Sequence, residues 1–220
     1  MLRNSGRTVK TTTLATLLAI CFLTGSARAA LLNPGGSLFP APGEPDLSAG
    51  AVLLSTTGAV PFLATPPVFS GTLTSEVYRN DSTNPFGLNA LTFVYRVANS
   101  QASQNAIHRL SLGGFTGFNV DASYKTPAGG LIPTLIDRPT NLVVGFSFEG
   151  APVGPGSLAP GATTATLILQ TNATLFGALL ANVIDGGQAN GIASLGPVVP
   201  EPASLGALVL AGGLLLRRRA

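Results

Sequence analysis

Leu91-Thr92-Phe93-Val94-Tyr95-Arg96-Val97 alternates strictly: Leu91, Phe93, Tyr95 and Val97 fall on one side, Thr92, Val94 and Arg96 on the other. Successive side chains of an extended chain point to opposite faces, so this stretch reads as a β-strand with one face in a core. The preceding run, residues 69–79, repeats the pattern with Phe69, Leu73 and Val77 on one side, Gly71 and Ser75 between them, and Thr72, Thr74 and Glu76 opposite. Asn80-Asp81-Ser82-Thr83-Asn84-Pro85-Phe86-Gly87 separates the two and carries turn chemistry throughout.

Outward from this pair the same grammar continues. Residues 51–55, 107–112, 117–124, 142–148 and 163–171 are further strand-length runs, the last alternating Ala165, Leu167 and Leu169 with Thr166, Ile168 and Gln170. Residues 175–184 would suit a helix by composition, but Asp185-Gly186-Gly187 and the β-rich neighbours make a strand the better reading. No helix-period segment interrupts residues 51–185. The expected body is therefore all-β, an antiparallel β-sandwich of jelly-roll or immunoglobulin-like type with eight or nine strands, flanked by an N-terminal signal-peptide helix and a short hydrophobic C-terminal helix. Residues 30–50, rich in proline and glycine, are expected to be an extended entry segment. Residues 186–199, with Gly186, Gly187, Gly191, Gly196 and Pro197, are expected to be a linker.

Charge narrows the function classes. Of twelve basic residues, four lie at or before Arg28 and three are Arg217, Arg218 and Arg219. The five that remain face eight acids, leaving the body at −3. That excludes a basic nucleic-acid-binding footprint. The single cysteine, Cys21, lies in the N-terminal apolar run, so a processed body has neither a disulfide nor a thiol nucleophile.

The ends read as addresses. Arg3, Arg7 and Lys10 precede an apolar run over residues 14–23, and Ser26-Ala27-Arg28-Ala29-Ala30 places the small residues Ala27 and Ala29 where signal peptidase reads them. Residues 1–29 are thus expected to be a secretory signal peptide handled by the Sec translocon and cut after Ala29. At the other end Pro200, Glu201 and Pro202 precede an unbroken apolar or small-residue run over residues 203–216, which includes Ala203, Leu205, Leu208, Val209, Leu210, Leu214, Leu215 and Leu216, and then the three arginines. As a helix those fourteen residues reach about 21 Å against a hydrocarbon core of about 30 Å, too short for a comfortable permanent span. The arginines hold the extreme end on the cytoplasmic side, which puts the body across the membrane, in agreement with the signal peptide.

In motif, order and position, residues 200–219 resemble the PEP-CTERM sorting signal of exported bacterial envelope proteins. Pro200, Glu201 and Pro202 match its signature, residues 203–216 its hydrophobic segment and Arg217, Arg218 and Arg219 its basic end. The resemblance implies transient anchoring in the inner membrane, cleavage near the signature by an exosortase, and delivery to the cell surface or extracellular matrix, with exopolysaccharide as a further partner and biofilm as the setting. Two prolines keep the signature extended and unable to join a ladder, which suits recognition by a processing enzyme.

The body offers little chemistry by motif. His108 is the only histidine, so a His-rich zinc site is excluded, and no Gly-x-Ser-x-Gly elbow accompanies it. The acids are scattered, which disfavours a glycosidase unless folding pairs two of them. Asp81 with Asn80 and Asn84, or Asp185 before its glycines, are calcium candidates set against plain turn duty, which is the preferred reading. Exposed threonines and asparagines with Tyr78, Tyr95 and Tyr124 could present a carbohydrate-contacting surface. The sequence-level expectation is a non-enzymatic exported protein without catalytic residues, cofactor or metal. A carbohydrate-binding or adhesive module and a polysaccharide-active hydrolase are the alternatives.

Overall fold

A computed structural model describes residues 30–149, 156–185 and 187–199. The body is all-β, and no helix occurs among the described residues, hence none long and apolar enough to cross a membrane. The described residues contain thirteen strands, β1 (Ala30–Leu31), β2 (Ser37–Leu38), β3 (Gly43–Glu44), β4 (Val52–Leu63), β5 (Ser70–Arg79), β6 (Thr92–Asn99), β7 (Arg109–Leu112), β8 (Val120–Lys125), β9 (Leu135–Asp137), β10 (Val144–Ser147), β11 (Leu167–Thr171), β12 (Phe176–Asp185) and β13 (Gly187–Pro197). They form two sheets. The first runs β1-β8-β11-β6-β5-β4, with β3 added in parallel on β8; the second runs β13-β12-β7-β10-β9-β2, and all its pairings are antiparallel.

The alternation that marked the opening strand determines how the sheets pack. Phe93, Tyr95 and Val97 on β6 and Leu73 and Val77 on β5 are fully or almost fully buried. They share one core with Leu110 and Leu112 on β7, Val144 and Phe146 on β10, and Val183 on β12. Each such side chain withdrawn from water contributes about 1.5–3 kcal/mol before entropy is counted. Phe69, Ile107, Phe115, Phe148 and Leu158 close the core from the connecting segments.

Two segments depart from expectation. Residues 187–197 are not a linker but β13, an edge strand paired along β12. The glycines that suggest looseness have specific duties. The register shifts between Ala181 and Val183, Gly191 adopts a left-handed φ of 70°, and its N–H donates to Asn182 Oδ1 at 3.1 Å, so a bulge needs glycine there. Gly196 leaves room for Leu179, whose side chain a Cβ would strike. β13 is also tied to the opposite sheet. Tyr95 Oη donates to Leu195 O at 2.7 Å, and Leu195 N–H donates to Ser75 Oγ at 3.0 Å. Tyr95→Phe is therefore expected to cost about 1–2 kcal/mol in denaturant unfolding, because it removes a hydrogen bond between the sheets from a part-buried site without removing apolar volume.

Residues 30–50 are extended, as expected, but they are stitched into both sheets. β1 pairs with β8, β2 with β9 and β3 with β8, while Gly35 N–H donates to Arg138 O and Arg138 N–H donates to Gly36 O. Prolines at 34, 40, 42 and 45 cannot donate to a ladder, which keeps each pairing two residues long. The signal-peptide and hydrophobic-tail helices expected at the ends lie outside the described residues.

Candidate functional site: a buried carboxylate layer under a surface strap

The outward face of the first sheet is polar, as the alternation requires, yet part of it is buried. Antiparallel register sets Thr92, Gln170 and Asp121 in one row across β6, β11 and β8, with Val94, Ile168 and Ser123 in the next. Thr92, Gln170, Asp121, Ile168 and Ser123 are each no more than 4% exposed. Two segments meet them: the 80–87 loop, whose Asp81, Thr83 and Asn84 bond Thr92 and Gln170, and the segment of β3, whose Glu44 accepts from Ser123 and which continues as a strap. Residues 45–48 lead from β3, which flanks β8, towards Asp81 in the loop between β5 and β6, and a turn in which Ala51 N–H donates to Ser48 O then delivers the chain to β4. Ser48 marks the far end of this strap: its N–H donates to Asp81 Oδ1 at 3.1 Å, and its Oγ accepts from Ser82 N–H at 2.8 Å. At the near end Thr126 Oγ1 donates to Glu44 O at 2.7 Å, and Lys125 pairs with Asp46.

Asp81 anchors the layer. Its Oδ1 accepts from Ser48 N–H, Thr83 N–H and Thr83 Oγ1, and its Oδ2 accepts from Thr92 Oγ1 and Gln170 Nε2. Burial pushes this carboxyl up, but the hydrogen bonds from Thr83, Ser48 and Thr92 outweigh it and hold it below the usual range. Asn84 turns its amide nitrogen to Leu91 O and Thr92 Oγ1 and accepts from Phe86 N–H. Asp81 and Asn84 thus serve the turn, as the sequence reading preferred.

Asp121 and Glu44 form the carboxylate pair that sequence reading missed. Glu44, 7% exposed, accepts from Ser123 Oγ at 2.9 Å. Asp121 accepts from Ala122 N–H, while its Oδ1 is buried without a hydrogen-bond partner. Burial first, and the nearby Glu44 charge second, push the Asp121 carboxyl up to about 7. Gln170 commits Nε2 to Asp81 and Thr83, and its Oε1 is likewise buried and unpartnered. The signal was available: Asp121, Ser123 and Lys125 alternate with Val120, Ala122 and Tyr124. The partnership with Glu44, in a proline-rich stretch 77 residues earlier, exists only through the β3–β8 pairing.

The other candidates fare differently. His108 Nδ1 faces Glu149 Oε1 and lies 3.2 Å from Asp185 Oδ1. No hydroxyl is hydrogen-bonded to His108 among the described residues, so no nucleophilic triad assembles around it. Nor are any three His, Cys, Asp or Glu side chains among those residues placed together to hold a metal. The three tyrosines do not form a shared platform. Tyr95 faces the core, Tyr124 packs partly against it, and Tyr78 Oη donates to Glu76 Oε2 at 2.8 Å. Beside the buried layer an open cleft of about 340 Å³ is lined by Thr74, Glu76, Val94, Arg96 and Thr166, with Arg96 donating to Thr166 Oγ1 at 2.9 Å. The sorting residues Pro200, Glu201 and Pro202, the segment after them, Arg217, Arg218 and Arg219, and the cleavage residues Ala27 and Ala29 all lie outside the described residues.

Geometry thus defines a two-sheet, sandwich-like β-protein with a strapped polar layer. Comparison with protein-family models, curated proteins and solved structures gives no match.

Proposed function

We propose that this chain is an exported, non-enzymatic component of the bacterial cell surface or exopolysaccharide matrix, sorted by an exosortase, with a body of the jelly-roll or immunoglobulin-like sandwich type. One observation carries the reading. A signal peptide over residues 1–29 and the Pro200-Glu201-Pro202 segment with its apolar run and arginines prescribe the same membrane orientation from opposite ends of one chain. The arrangement of acids supports the non-enzymatic part: the paired carboxylates, Asp121 and Glu44, are buried at 4% and 7% exposure. The repeated switching of consecutive strands between sheets supports the sandwich part.

Fractionation with antibodies against the body tests it. The native chain is expected outside the inner membrane, shortened at both ends, whereas Glu201→Ala or removal of residues 217–219 leaves the body held at the membrane with its tail uncut. Equal distribution and equal size of all three would overturn the reading.

The cleft beside Arg96 favours a second reading, a carbohydrate-binding module, since guanidinium, carboxylate and threonine hydroxyls are suitable partners for sugar hydroxyls. Co-sedimentation with the producer's polysaccharide, lost in Arg96→Ala, would support it; no co-sedimentation leaves the passive matrix role.

A further inference from the structure

Two acceptors without a donor stand in adjacent strands of one buried layer. Asp121 Oδ1 and Gln170 Oε1 belong to cross-strand partners, 4% and 2% exposed, and neither has a hydrogen-bond partner. Gln170 has its Nε2 turned towards Asp81 and Thr83 on the β6 side, which leaves Oε1 for the β8 side, where Asp121 stands. Glu44 brings a second carboxylate to the same place. Lys125, the cation of that strand's outer face, is paired with Asp46. Among the described residues this layer offers unpartnered acceptors on Asp121 and Gln170 beside a second acid, a set that a cation satisfies and another acceptor does not.

We propose that Asp121, Glu44 and the Gln170 amide oxygen form a binding site for a hard divalent cation, calcium, which pins the 43–51 strap to the first sheet. Donor chemistry selects the ion. Carboxylate and amide oxygens without nitrogen or sulfur suit calcium and disfavour zinc or copper, and calcium accepts an irregular oxygen set completed by water where magnesium demands a near-octahedral one. The site joins three elements distant in sequence, because Glu44 comes from β3, Asp121 from β8 and Gln170 from β11. A bound ion would therefore act as a cross-link in a chain that has no disulfide. It differs from both calcium candidates visible in the sequence: Asp81 has its oxygens filled by five donors, and Asp185 lies in the second sheet beside His108.

The test is thermal unfolding of the full chain in mild detergent at about pH 8, in chelator and in about 10 mM calcium chloride, with calorimetric titration of calcium in parallel. At the affinities usual for extracellular calcium modules the midpoint is expected to rise by about 3–10 °C. The rise should vanish in Asp121→Asn, which keeps the side-chain shape and removes a repelling charge, and persist in Asp185→Asn. Equal midpoints in calcium and chelator, an equal rise with magnesium, or a calcium response kept by Asp121→Asn but lost by Asp185→Asn would each overturn the site.

Discussion

Replacing Arg138 with leucine is expected to lower the unfolding free energy by about 3 kcal/mol or more. Arg138 is 2% exposed and has no acidic partner among the described residues. Its Nη1 donates to Leu32 O at 3.2 Å, and its Nη2 to Phe115 O, Phe118 O and Asn141 O at 2.8, 2.9 and 3.1 Å. One planar fork thus satisfies carbonyls from the entry segment and from two loops that close the same end of the body. Burial holds the guanidinium below its usual pKa, yet it stays charged across the accessible pH range. Leucine fills part of the volume and removes all four bonds; Phe115 O keeps the Phe118 N–H, but each buried carbonyl left without a donor costs about 1–3 kcal/mol in isolation. Arg138→Lys keeps the charge but presents a point donor where a fork is needed, so an intermediate loss is expected. Urea unfolding measures both; a change within about 0.5 kcal/mol, typical of surface positions, would contradict the role assigned to Arg138.

In chelator, stability is expected to fall as pH rises from about 4 to 7, by an amount on the order of 4 kcal/mol. The sign follows from Asp121, whose folded-state carboxyl is raised from 3.8 to about 7. Between those values the folded state holds a proton that the unfolded chain has released. The contribution is therefore fully present below the unfolded value and is lost as pH climbs through the folded one. The groups facing Asp121 are Glu44 from β3 and Gln170 from β11, with Ser123 and Lys125 along its own strand. Asp81 has the opposite sign: its lowered carboxyl stabilises the fold above the usual value, and that contribution is lost as pH drops through the folded one. Together they place the optimum at mildly acidic pH. Asp121→Asn should flatten the limb between pH 4 and 7 and leave the acid limb in place; a variant that follows the native profile would contradict the assignment.

How far the sequence reaches can be read from particular residues. Strands β5, β6 and β11 were legible because each turns an apolar face to the core and a more polar face away from it, so Leu73 and Val77, Phe93 and Tyr95, and Leu167 and Leu169 alternate with largely polar neighbours. β12 was legible despite its alanines because turn residues follow it. β13 was not, since its glycines serve a bulge at Gly191 and close packing of Leu179 on Gly196, duties that look like looseness in one dimension. β9 is three residues long, below the length at which a period shows. The carboxylate pair was illegible for a different reason. Asp121 is outward by the alternation, and only the strap, whose course depends on β3 joining β8, turns an outward position into a buried one. The carbonyl cage of Arg138 is equally non-local, drawing on residues 32, 115, 118 and 141. Among the proposed roles, those resting on local motif, the two addresses, come from the ends of the chain. Those resting on long-range register, the carboxylate layer and its cation, come from the fold.

The intact mass of the protein recovered outside the producing cell tests the central claim most directly. Export and processing at both ends predict a species that begins at Ala30 and ends near Pro200-Glu201-Pro202, lacking the apolar run and all three terminal arginines. A species with the mass of residues 1–220, found only in the cytoplasm or retained in the inner membrane, would contradict it.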